Sequence, residues 1–131
     1  MKRLATTLVL LTMTIGLVGP AAAHESIDAT SLSISANKDS IKRGQQVNIS
    51  GTLESENRRC VDRERVTLYV DGTPVKTKDT RPNGKFNFKV RPAVTADWHV
   101  EYEGRMSGRH PHVHVCLEST SNVITIEVRE S

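Results

Sequence analysis

The chain has 131 residues, with 18 Lys plus Arg against 15 Asp plus Glu and a formal net charge of +3. Its 37% apolar and 25% charged residues exclude a disordered chain, a coiled coil and a membrane-embedded protein. Two of the positive charges, Lys2 and Arg3, lie in the first 23 residues; the remaining 108 carry 16 basic against 15 acidic residues, so the basic balance is no argument for nucleic-acid binding.

Residues 1–23 read as a cleaved secretory signal peptide. Lys2 and Arg3 supply a positive start, Leu4 to Val18 an apolar run, Pro20 a helix stop, and Ala21-Ala22-Ala23 the small residues a signal peptidase needs. The apolar run is shorter than the roughly 20 residues a membrane anchor requires. The processed chain is therefore expected to be secreted, to begin at His24 and not to insert into a membrane. Residues 24–30 are expected to be a flexible lead-in, and 31–131 a single domain.

Strand signals follow in chain order. Leu32 and Ile34 alternate with Ser31, Ser33 and Ser35; Val47, Ile49, Gly51 and Leu53 alternate with Asn48, Ser50 and Thr52. Val66, Leu68 and Val70 form a third strand, and Asp71-Gly72 closes a hairpin because Gly accepts positive φ. Val75 to Thr77 returns next to Pro74, which suits an edge. Arg81-Pro82-Asn83-Gly84-Lys85 is a turn. Phe86, Phe88 and Val90, then Trp98, Val100 and Tyr102, then Ile124, Ile126 and Val128 complete the set. That is seven strands, nearly all apolar on one face, with no amphipathic helix to cover them. Such faces must meet in a second sheet, giving a seven-stranded antiparallel sandwich. A small closed barrel would satisfy the same pattern; the sandwich is the expectation.

Cys60 and Cys116 are the only cysteines. In an exported chain they are expected to form one disulfide, tying a loop at one end of the sandwich. A thiolate metal site is the competing reading, without a CxxC pair to support it.

The stretch Gly44-Gln45-Gln46-Val47-Asn48-Ile49-Ser50-Gly51-Thr52-Leu53 resembles the G-Q-x-V-x-x-x-G-x-L segment of bacterial immunoglobulin-like (Big-type) domains. Arg65 to Gly72 and Thr80 to Phe88 resemble their V-x-L-Y strand and T-x-x-x-G-x-F-x-F hairpin. Similar segments occur in carboxypeptidase-regulatory-like and transthyretin-like modules. The likeness spans Ser31 to Val128 and implies an immunoglobulin-like β-sandwich. Many modules of this kind are spacers or adhesion units on surface proteins.

Catalytic signatures are scarce. There is no G-x-S-x-G elbow and no glycine-rich phosphate loop, and Glu101 and Glu103 read as solvated carboxylates on one strand. The chain is expected not to be an enzyme. Its expected role is an exported, monomeric module that binds a protein or a cell-surface glycan and no nucleic acid.

Histidine offers the alternative. His110, His112 and His114 recur at spacing two, which puts His112 and His114 on one face of an extended segment. With His99, or with His24 contributing a ring and the new terminal amine, they suit copper or zinc. Met106 is a further soft candidate for Cu(I). No other cofactor is expected. Lys76, Lys78, Arg81, Lys85, Lys89 and Arg91 make the second hairpin basic; such lysines guard a sheet edge, or meet an anionic cell-wall polymer.

Overall fold

The computed structural model describes residues 24–130; the expected signal peptide lies outside the described residues. Twelve strands follow in order: β1 (His24–Asp28), β2 (Thr30–Ala36), β3 (Ser40–Lys42), β4 (Val47–Ser55), β5 (Arg65–Val70), β6 (Thr73–Asp79), β7 (Lys85–Val90), β8 (Ala96–Tyr102), β9 (Arg105–Arg109), β10 (His112–Cys116), β11 (Ser119–Thr120) and β12 (Ile124–Arg129). A short 3-10 turn, Arg58–Cys60, separates β4 from β5, and Asn57 caps it by accepting from the Arg59 amide.

The described residues are all-β, but not as a seven-stranded sandwich. The seven expected strands lie in β2, β4, β5, β6, β7, β8 and β12, and five more join them. β3 and β11 are three and two residues long, too short for a period of two to register. The other three form a sheet of their own. Residues 24–28, expected within the flexible lead-in, are strand β1 and pair with β10; Thr30 already belongs to β2.

The first sheet runs β2-β4-β7 and the second β3-β12-β8-β5-β6, with β11 also on β8. Alternation decides which side chains face inward. Leu32, Ile34, Val47, Ile49, Leu53, Phe86, Phe88 and Val90 come from the first sheet; Ile41, Val66, Leu68, Trp98, Val100 and Ile126 come from the second. These residues form one buried cluster, so the two sheets face each other across a shared core rather than closing into a barrel. Burying each large aliphatic side chain contributes about 1.5–3 kcal/mol before entropy opposes it.

Two local devices fix the sheets. Asp71 (φ 46°) and Gly72 (φ 80°) both take positive φ and make the tight β5–β6 turn that the sequence announces. Gly51 sits between Ile34 and Phe86 in the paired register, and the Phe86 ring packs directly over its Cα position. A side chain there would collide with that ring and with the Ser33 carbonyl.

β6 and β7 are the outer strands of different sheets and border the same flank. Lys76 Nζ donates to the Lys89 carbonyl and Lys78 Nζ to the Asn87 carbonyl, both at 2.8 Å. The two lysines thus occupy backbone acceptors of β7 that another chain's strand would otherwise seek.

Candidate functional site: the strand arm

β8 does not end the hairpin that leads to β12. The chain continues past Gly104 into β9, turns at residues 109–112, and returns as β10. β10 pairs antiparallel with β9 and parallel with β1, so a three-stranded arm, β1-β10-β9, stands apart from the sandwich sheets.

The root of this arm is heavily fastened. Cys116, the last residue of β10, is bonded to Cys60 in the 3-10 turn with Cα atoms 5.5 Å apart, and both cysteines are buried. Arg105, the first residue of β9, donates from Nε to Glu64 Oε1 at 2.8 Å and from Nη2 to the Arg59 carbonyl at 3.0 Å. Asn57 Nδ2 donates to Asp28 Oδ2 at 2.8 Å, and the Leu117 amide donates to the Asp28 carbonyl at 2.9 Å. Thr30 Oγ1 donates to the Leu117 carbonyl and meets Ser119 Oγ. Sulfur, charge and hydrogen bonds converge on one end of the arm.

Glu64 is buried, and its carboxylate holds the Arg105 guanidinium above its ordinary pKa. The neighbouring Tyr102 hydroxyl is buried too. Burial first, and the Glu64 charge second, push it up to about 12.

Register gives the arm two unlike faces. One carries His112, His114 and Cys116 of β10, with Ser26 and Asp28 of β1 and Arg105, Ser107 and Arg109 of β9. On the other face, Ile27, Val115 and Met106 align in a single row across the three strands, beside Val113. Ile27 is 66% exposed and Met106 73% exposed. No local pattern marks this row, because its three members come from segments that only the fold brings together.

The histidines separate. His112 and His114 share the arm's polar face; the backbone of His24 lies opposite His112, and His114 Nδ1 is 2.7 Å from Ser26 Oγ. His110 is exposed at the turn, before a cis peptide to Pro111. His99 is elsewhere. It lies on β8 and stacks on Tyr69 at a centroid distance of 4.9 Å, with Nε2 3.6 Å from Glu101. The hydrogen bond from Tyr69 to Glu101, then burial and the charges of Glu101 and Glu103, raise the Tyr69 pKa. Among the described residues, no three His, Cys, Asp or Glu side chains converge as a metal cage. Met106 points to the opposite arm face from His112 and His114. Among the described residues, no helix is long and apolar enough to cross a membrane.

No family model matches the chain, and no curated protein matches it. Among solved structures, the chain is similar to the solution structure of the CARDB domain of PF1109 from Pyrococcus furiosus, with a TM-score of 0.49 and 9% identity over 79% of this chain and 96% of that one. It is also similar to the crystal structure of that CARDB domain, described as in complex with di-metal ions, with a TM-score of 0.44 and 11% identity over 78% of this chain and 94% of that one.

Proposed function

We propose that this chain is an exported, non-enzymatic immunoglobulin-like module that binds a protein at the cell surface or in the medium through its strand arm. The strand orders β2-β4-β7 and β3-β12-β8-β5-β6 support the fold reading, because immunoglobulin-like sandwiches distribute their strands between two sheets in this way. The buried disulfide suits an oxidising compartment. The observation that carries the binding role is the Ile27–Val115–Met106 row: apolar, largely exposed at both flanks, and borne on an arm fixed at its root.

The test places a photo-crosslinking residue at position 27 or 106 of the processed protein, with position 38 as an exposed control, and exposes it to the producing cells. Adducts of a discrete larger mass at 27 and 106 but not at 38 are expected. Equal labelling at all three positions, or none at the arm, would overturn the proposal. An adduct of twice the chain mass would also overturn it, by assigning the row to a second copy.

A second reading, an exported copper- or zinc-binding protein, is favoured by one observation: β1 and β10 run parallel with His24 opposite His112. Cleavage before His24 would add a terminal amine at that register position. Titration of the processed protein with Cu(II) and Zn(II) decides this reading. Micromolar or tighter affinity that is lost in H112A supports it, and affinity no tighter than about millimolar, a binding free energy of roughly 4 kcal/mol, ends it.

A further inference from the structure

We infer that the β6–β7 flank is a second binding surface, distinct from the arm, and that it takes an acidic polysaccharide. The processed chain has nearly balanced charge, yet this flank gathers Lys76, Lys78, Arg81, Lys85, Lys89 and Arg91, all exposed. The acidic residue on β6, Asp79, lies 3.7 Å from Arg65. Balanced charge overall with cations concentrated on one side means that the flank carries a local positive field that the net charge conceals.

Guarding a sheet edge accounts for only part of this set. Lys76 and Lys78 cap the β7 carbonyls, and Arg91 Nη1 donates to the Gly44 carbonyl at 2.9 Å. Lys85 and Lys89 do neither. They project from β7 on the outer side of the first sheet, and their ammonium groups have no hydrogen-bond or ion-pair partner among the described residues. They stand four positions apart along the strand, roughly 13 Å.

What lies beside them points to the ligand. Lys85 pairs with Thr52, which pairs with Ser33; Asn87 pairs with Ser50, which pairs with Ser35. These small polar side chains line a shallow trough of about 590 Å³ on the outer face of the sheet, with Arg81 and Lys85 at its side. Hydroxyls and an amide can exchange hydrogen bonds with sugar hydroxyls, and the lysines can meet carboxylate or sulfate groups along an extended polymer. Phe86 lines the trough but is only 4% exposed, and Phe88 is buried, so neither ring offers a stacking platform for bases or for neutral sugars. Charge with hydroxyl contacts, rather than stacking, selects an acidic glycan over a nucleic acid.

The experiment measures binding of the processed protein to heparin and to polygalacturonate, with neutral dextran and single-stranded DNA as comparisons, at about 50 and 200 mM salt. Both acidic polysaccharides are expected to bind at the lower salt and to weaken at the higher, and dextran not to bind. The K85Q/K89Q variant should weaken binding about tenfold, as loss of two screened contacts implies. S50A/T52A should weaken polysaccharide binding without altering the salt dependence, and M106E should leave it unchanged, which separates this site from the arm. No binding at the lower salt, equal binding by K85Q/K89Q with an unchanged melting temperature, or tighter binding of DNA than of either polysaccharide would overturn the inference.

Discussion

Arg105 opens β9 and reaches the buried carboxylate of Glu64, with Nη2 2.7 Å from Oε1. The pair joins the arm to the segment that follows the 3-10 turn, near the disulfide between Cys116 and Cys60. Glu64 is almost fully enclosed while Arg105 is 45% exposed, so the carboxylate depends on the arginine more than the reverse.

Removing the arginine strands a buried charge. R105M is expected to destabilise the protein by about 1–3 kcal/mol, below the full cost of breaking a buried pair because water still reaches the guanidinium side. R105M/E64Q should recover part of that loss. Urea denaturation of the two single variants and the double variant measures the coupling, and additive losses would show that the pair contributes nothing jointly.

The disulfide closes a separation of 56 residues. Replacing both cysteines by alanine should cost up to about 4 kcal/mol on the chain-entropy account, native strain reducing the figure. The arm should loosen more than the sandwich, since Cys116 ends β10 whereas the core is held by both sheets. Hydrogen exchange should therefore accelerate in residues 105–116 ahead of residues 47–53.

Alkaline pH tests the Tyr102 environment. Its folded pKa stands at about 12, above the ordinary tyrosine value of 10.0. Below pH 10 both folded and unfolded forms keep the proton; between 10 and 12 only the unfolded chain releases it. Stability is thus present below the unfolded pKa and falls as pH rises toward the folded one. Relative to Y102F, the native protein should lose on the order of 2 kcal/mol across that interval. Parallel pH profiles of the two proteins would contradict this assignment.

Gly51 tests the close approach in the first sheet. G51A places a methyl group against the Phe86 ring and the Ser33 carbonyl. Overpacking of this kind typically costs about 1–3 kcal/mol. G51A/F86L should restore part of the loss by withdrawing the ring, with melting temperatures as the readout.

Much of the sandwich was legible because alternation is a local property. Leu32 and Ile34, or Phe86 and Phe88, declare an inward face within five residues, and Asp71-Gly72 declares its turn within two. The arm was not legible. β9 contains Arg105, Gly108 and Arg109 and shows no clean period; β1 was expected within a lead-in because nothing near it in sequence could pair with it. The histidine spacing correctly placed His112 and His114 on one face but could not tell that His99 belongs to another sheet, beside Tyr69.

The sequence by itself determined a β-rich chain, its principal strands and a single available pairing of cysteines, since these follow from neighbouring residues and a count of two. Tertiary structure alone decided which surfaces exist. Ser26 meets His114 across 88 residues, and Ile27 joins Val115 and Met106 only because β1 runs beside β10. Likewise, the six cations between residues 76 and 91 look alike in sequence, and only the packing of β6 against β7 divides those that cap backbone from those left to solvent. Register between distant strands is fixed by the summed burial and hydrogen bonding of the whole fold, which no short segment encodes.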